Sequence, residues 1–266
     1  MKKHIRPTRP PIFVLAIALL LTSSYANSQD ANTKIITLAS IDNYIPYSYS
    51  EAGHKRGLYI DIIEELFSRT EYTPKIQLLP FRRLLPGAKN GDVDGIIGAF
   101  YTPERAEYAT YLKDTPFAQI IQQIFVLRSG GIKSSKPDDI AGAIIAHKRG
   151  FIMSDELNDA LEDNIFHGIE VETTQQLLLL QRVDGFIQEK PNANYFIAQL
   201  NEDHSVIPLS SPVSDKRLSY LTFSKKALVS LPGNFVETIN TAFNSIIANG
   251  TFKKTNTKHG IDKSKT

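Results

Sequence analysis

The sequence of 266 residues contains no cysteine. Disulfides and thiolate metal ligands are therefore excluded, and so is a lipid anchor, which needs a cysteine beside its cleavage site. A chain without disulfide staples must stand on its own core, and this one is long enough for two domains of ordinary size. No apolar run reaches the roughly 20 residues that cross a bilayer. The signatures of common chemistries are also missing. There is no phosphate loop, no nucleophile elbow and no glycine-rich dinucleotide turn. The histidines, His4, His54, His147, His167, His204 and His259, form no i, i+4 pair and no metal-ligand spacing. Asp92-Val93-Asp94-Gly95 opens like a calcium loop, but it lacks the third acid and Pro103 stands where the closing glutamate belongs. Those aspartates read as the solvated start of a strand. No metal, no cofactor and no enzymatic activity are expected.

The first stretch reads as an export leader. Lys2, Lys3, Arg6 and Arg9 give a basic start, Pro11 to Leu21 is apolar for 11 residues, and Ser24-Tyr25-Ala26 offers small residues where a leader peptidase reads. Cleavage after Ala26 predicts a freely soluble, periplasmic product. Residues 1–26 carry four of the 30 Lys and Arg and none of the 28 Asp and Glu, so the net charge moves from +2 to −2 on processing. Nothing in that balance points to nucleic acid or to an anionic membrane. The lysine-rich end, Lys253 to Lys263, reads as a solvated tail.

Along the rest of the chain, strand and helix periodicities alternate. Lys34–Ala39 reads as a buried strand, and Tyr59, Ile62, Ile63, Leu66 and Phe67 form one apolar helical stripe. Lys75–Leu79 reads as strand after Pro74, which gives a parallel βαβ unit. A helix from Phe81 to near Gly91 and a strand over Val93–Ala99 follow. Thr102-Pro103-Glu104 has the grammar of a helix start, and Ile120–Leu127 reads as one strand ended by Ser129-Gly130-Gly131. Beyond it come strands at Ala143–Ala146, Gly185–Gln188, Val206–Leu209 and Tyr220–Phe223. Helices are expected at Asp155–Leu161, from Thr173 as cap through Arg182, at Pro191–Leu200, and from Asn234 with Phe235, Ile239, Phe243, Ile246 and Ile247 inward. No internal repeat, low-complexity linker or coiled coil is apparent.

Ligands of open α/β sheets sit at the carboxyl ends of strands. Four residues stand there: Tyr44 past the first strand, Phe81 at a helix start, Arg105 in a first helical turn, and Glu189 past Gly185–Gln188. Each has a bland alternative. A lone aromatic packs in a core more often than it forms a platform, and an arginine or glutamate is usually solvated.

Six pieces resemble the extracellular solute-binding proteins of family 3, receptors that feed polar amino-acid ABC importers. They are Tyr44-Ile-Pro46-Tyr47, Gly57-Leu-Tyr-Ile-Asp61, Gly91-Asp-Val-Asp94, Thr102-Pro-Glu-Arg105-Ala, Arg182-Val-Asp184-Gly and Asn249-Gly250-Thr251-Phe252. The resemblance implies a two-lobed α/β fold of the type II periplasmic-binding kind, each lobe a mostly parallel sheet flanked by helices. It implies lobe 1 over residues 27–128 and 222–266, lobe 2 over 129–221, and two hinge strands near Ile124–Gly131 and Ser219–Ser224.

The resemblance further implies a monomer that holds a small polar, carboxylate-bearing molecule in the interlobe cleft for a transporter's membrane component. Tyr44 and Phe81 would sandwich the ligand, Arg105 would grip its carboxylate and Glu189 its ammonium. Tyr47, Thr102 and Arg149 would be secondary contacts. Guanidinium suits a carboxylate because it pairs bidentately. The sequence departs from the family in two respects, the stretch before Thr102 and the cationic groups near strand ends. Gly98-Ala99-Phe100-Tyr101 stands where amino-acid receptors carry serine hydroxyls. Arg82, Arg83 and His147-Lys148-Arg149 add cationic groups near strand ends. Two rival functions share the fold: a cyclohexadienyl dehydratase with Glu189 as its acid, and a sensor that signals to a partner.

Overall fold

A computed structural model describes residues 34–148, 155–161, 164–168, 171–200, 204–213 and 216–261. The expected leader over 1–26 and Arg149 lie outside them. In chain order the first part comprises β1 (Lys34–Ile41), β2 (Tyr49–Glu51), β3 (His54–Arg56), α1 (Leu58–Phe67), β4 (Tyr72–Leu79), α2 (Phe81–Asn90), β5 (Gly95–Phe100), α3 (Pro103–Tyr108), β6 (Ala109–Tyr111) and β7 (Ala118–Ile120). The middle comprises β8 (Gln122–Leu127), α4 (Pro137–Ile140), β9 (Ile145–Lys148), α5 (Asp155–Leu161), β10 (Ile165–Gly168), α6 (Val171–Leu179), β11 (Gly185–Glu189), α7 (Lys190–Gln199) and β12 (Val206–Pro212). The last part is β13 (Arg217–Ser224), α8 (Lys225–Leu228), α9 (Phe235–Ala248) and α10 (Thr251–Lys258).

Two large sheets, with β2 and β3 forming a separate antiparallel hairpin, give the two-lobed α/β architecture. The first runs β4-β1-β5-β13-β6 with β7 also on β13, and the second runs β10-β9-β11-β8-β12. β1 is parallel to β4 and β5, while β13 returns antiparallel. In the second sheet β9, β10 and β11 are parallel, and β8 and β12 antiparallel. Expected as a single strand, Ile120–Leu127 is broken at Ile121. There the chain leaves the first sheet for the second, and it returns between Pro212 and Arg217. Both connections precede the segments expected to form the hinge, Ile124–Gly131 and Ser219–Ser224, which are strands of one sheet each apart from the turn at 128–131.

Prolines mark the sheet borders. Pro74 pairs with Ile36 inside β4, and Pro208 and Pro212 lie in β12, both edge strands where a missing N–H costs no ladder bond. Interior strands are covered on two faces. All of β11 is buried, and along β8 successive residues serve opposite cores: Ile124 and Val126 join one cluster, Phe125 the other. Phe125 stacks on its register partner Phe186 with centroids 5.1 Å apart. This double burial is why Ile124–Leu127 of β8 and Phe186–Ile187 of β11 are apolar on consecutive residues instead of alternating ones. Each fully buried Phe or Ile contributes about 1.5–3 kcal/mol.

The two lobes share a local device that sequence inspection overlooked. Val93-Asp94-Gly95 and Val183-Asp184-Gly185 lead into β5 and β11. Asp94 N–H donates to Thr37 O at 2.8 Å, and its Oδ2 accepts from Thr37 N at 2.7 Å. Asp184 N–H donates to Ile144 O at 2.8 Å, and its Oδ2 accepts from Ile144 N at 2.8 Å. Asp94 is therefore a clamp on the neighbouring chain and not a solvated strand start. The matching pentapeptides Val93-Asp-Gly-Ile-Ile97 and Val183-Asp-Gly-Phe-Ile187 were the visible signal of this internal likeness.

Other expectations shift. Thr173 lies inside α6, which begins at Val171, so it caps nothing. Ile247 is 42% exposed and not inward. The lysine-rich end is helical over α10 and docks on α1, where Asp61 Oδ2 accepts from Lys258 Nζ at 2.6 Å and pairs with His259 Nε2 at 2.9 Å. Partial burial works against the Asp61 charge, but the Lys258 and His259 hydrogen bonds outweigh it and hold the carboxyl below its ordinary range.

Candidate functional site

Tyr44, Phe81 and Arg105 meet around one small cavity of about 20 Å³, walled also by Ile41, Ile96, Gly98, Ala99 and Phe100. Each arrives from a different element: Tyr44 from the loop after β1, Phe81 from the first residue of α2, Arg105 from α3. Thr102 caps α3, its Oγ1 accepting from Arg105 N at 3.1 Å, with Pro103 in the first turn. The cap fixes where the arginine emerges. Arg105 is buried at 8% exposure and Nη1 donates to Phe100 O at 3.1 Å. The Tyr111 hydroxyl donates to the same carbonyl at 2.9 Å. Burial raises the Tyr111 hydroxyl to about 12 despite the nearby Arg105, so it stays a donor.

Glu189 comes from the second lobe. It is the last residue of β11 and stands at the N-cap position of α7, whose first turn contains Pro191, without its side chain bonding the helix amides. At 1% exposure it is not the solvated carboxylate that its neighbour Lys190 suggested. Its Oε1 accepts the hydrogen bond of the Tyr44 hydroxyl, so the two lobes touch through two of the predicted residues. Burial, then the Glu189 carboxylate, pushes the Tyr44 hydroxyl well above its ordinary value; the same two causes act on Tyr47. Both phenols are therefore neutral donors across the physiological range.

Tyr47 does not line the small cavity. It backs Tyr44, ring centroids 4.7 Å apart, and packs on Tyr59 at 5.2 Å, making a short aromatic stack behind the site. Together with Glu189 it borders a separate cavity of about 480 Å³ beside the lobe connections. Arg82 and Arg83 are exposed on α2. Among the described residues no group of three or more His, Cys, Asp or Glu could hold a metal ion.

Sequence reasoning missed Asn192. Its Nδ2 donates to Ile45 O at 2.7 Å, a second bond between the lobes, and its Oδ1 accepts from Gln188 Nε2 at 2.7 Å. The signal was present: Glu189-Lys190-Pro191 marks a helix start, which sets Asn192 one turn beyond Glu189 on the same side. It also missed why position 98 is glycine. Gly98 has φ +85°, and a Cβ there would sit 2.3 Å from Tyr59 Cε2.

His147 was expected to add positive charge near the cleft, and the structure overturns this. It is 2% exposed on β9, level with His167 of β10. Burial, and then His167, lowers it from 6.5 to about 4, so it is neutral at pH 7. The unfolded chain binds this proton more readily than the folded one between those two values. Stability is therefore full above about pH 6.5 and falls as the pH drops toward 4, by up to about 3 kcal/mol. Urea titrations across that window are expected to show the slope, and His147→Gln is expected to flatten it.

The family model for bacterial extracellular solute-binding proteins, family 3, matches residues 36–262. Similar solved structures include ArgBP from T. maritima, a P235GK mutant (19% identity, 85% of this chain and 94% of that chain, TM-score 0.71). Another is the arginine-, lysine-, histidine-binding protein ArtJ from Geobacillus stearothermophilus (16% identity, 85% and 95%, TM-score 0.73). A third is a histidine kinase sensor domain with similarity to periplasmic binding proteins (15% identity, 85% and 96%, TM-score 0.75). No curated protein sequence matches the chain.

Proposed function

Since the chain belongs to the bacterial extracellular solute-binding proteins of family 3, we propose that it captures a small polar, carboxylate-bearing solute, an amino acid or a related acid, between its lobes in the periplasm. The observation that carries this reading is the convergence of Tyr44, Phe81 and Arg105 on one cavity with Glu189 reaching Tyr44 from the opposite lobe. Two rings offer flat apolar faces, the guanidinium a bidentate partner for a carboxylate, and Glu189 an acceptor for an ammonium. Thr102 and the amide donors of the α3 start add polarity beside Arg105. Tyr47 supports Tyr44 from behind.

A cavity of about 20 Å³ has room for no more than one water, whose share of liquid volume is about 30 Å³. Solute uptake therefore requires the lobes to part, with Tyr44–Glu189 and Asn192–Ile45 breaking. We place the pivot at Ile121 and between Pro212 and Arg217, where the chain passes between sheets. The solute's ammonium would then take the place of the Tyr44 hydroxyl on Glu189.

Once the solute is held, delivery to an ABC importer is the first reading of its fate. The likeness to a sensor domain over 96% of that chain supports a second, in which closure signals to a partner. Capture itself is tested by thermal melts against amino acids, dicarboxylates and small peptides. A true ligand at 100 times its Kd is expected to add about 2.7 kcal/mol. If no small acid shifts the melt, the capture reading is wrong.

A further inference from the structure

A second cavity, of about 450 Å³, lies between the lobes and shares no residue with the Tyr44–Phe81–Arg105 site. Tyr49 and Glu51 of the β2–β3 hairpin border it on one side, and Gln175, Gln176, Tyr195 and Gln199 of α6 and α7 on the other. Its volume falls within the roughly 300–1,000 Å³ range of small-molecule sites.

The chemistry of this lining is one-sided. Glu51 is the charged side chain in it, and no Lys, Arg or His lines the cavity among the described residues. Arg56 Nε stands 3.7 Å from Glu51 Oε2 on the exposed hairpin, a loose surface pair that is weakly held in water. Gln175 is 2% exposed. Its Nε2 donates to Ala193 O at 3.4 Å, while its Oε1 is buried with no hydrogen-bond partner. That oxygen lies beneath the lining, so Gln175 offers the cavity no free acceptor. Tyr49 and Tyr195 add aromatic rings, and Tyr195 is 40% exposed. A carboxylate and two phenol rings, with no competing cation in the lining among the described residues, favour the same partner, a cation carrying N–H donors.

We infer that this cavity is a binding site for a small organic cation, an amine or guanidinium, with the Glu51 carboxylate accepting its N–H groups and Tyr49 and Tyr195 facing its charge. It is independent of the carboxylate reading of the Arg105 site.

Calorimetric titration of the purified protein at neutral pH and low salt tests it, with putrescine and methylguanidinium as probes and butanediol as the neutral match. At least one cation is expected to bind and the diol not. Glu51→Gln and Tyr195→Ala, both at exposed positions, are each expected to weaken binding by about 10-fold or more, and Tyr195→Phe to keep it. Melting curves establish that each variant is folded. Arg105→Ala is expected to leave cation binding intact. Absence of heat with both cations overturns the assignment. So does equal binding of the diol, or insensitivity to either weakening substitution. Loss of cation binding in Glu189→Gln, the position that takes an ammonium in the carboxylate cleft, places the probe there, which overturns this site and leaves the proposed function standing.

Discussion

Gly98→Ser is expected to destabilise the protein by roughly 2–5 kcal/mol, through left-handed backbone strain and overpacking together. The substitution adds only one small polar side chain, so on composition alone it would look harmless. The geometry says otherwise. Gly98 has φ +85°, and a Cβ would lie 2.3 Å from Tyr59 Cε2 and 2.9 Å from Cζ. Tyr59 has nowhere to retreat. It is 2% exposed, its hydroxyl is hydrogen-bonded to Ser219 Oγ at 2.9 Å, and its ring meets Phe117 edge-on at 5.8 Å and Tyr47 at 5.2 Å. Urea unfolding is the measurement, with the midpoint falling at unchanged slope. A loss below about 1 kcal/mol would mean that the aromatic stack yields, and that Gly98 is a tolerated variation and not a packing requirement.

Arg105→Ala is expected to weaken capture of the carboxylate solute by about 1.5–3 kcal/mol, or roughly 10- to 150-fold, the range for a charged hydrogen bond. Arg105→Lys is expected to recover only part of it, because an ammonium keeps the charge and loses the planar fork. The arginine also donates to Phe100 O, so its removal perturbs the strand end that bears Ala99. The two effects separate by measurement: a structural role lowers the melt of the protein alone, whereas a ligand contact lowers the ligand-induced shift. Unchanged affinity in Arg105→Ala removes it from the site.

Both predictions concern positions that were visible in the sequence to different degrees. Arg105 was legible because its placement is local. A threonine cap, a proline and an arginine three residues on fix a first helical turn without help from the rest of the chain. The same holds for the apolar stripe of α1, the left-handed stop of α2 at Gly91 and the apolar run Ile124–Leu127 of β8. Helix and strand ends that depend on neighbours were misplaced. The interruption at Ile121 carries no proline or glycine; the strand ends there because one sheet ends and the other begins. His147 reads as a cation in isolation and is neutral in place, because β10 and the core around β9 remove its water.

The sequence by itself determined the alternation of strand and helix, the strand-end positions of Tyr44, Phe81, Arg105 and Glu189, and the family, because each rests on short-range periodicity or on motifs a few residues long. Only the tertiary structure decided that Tyr44 reaches Glu189 across 145 positions of chain, that Asn192 joins the lobes, that the Tyr59 ring fills the space beside Gly98, and that α10 docks through Asp61. Those are contacts between side chains brought together by packing two sheets, and their free energy depends on burial and shape that no local stretch encodes.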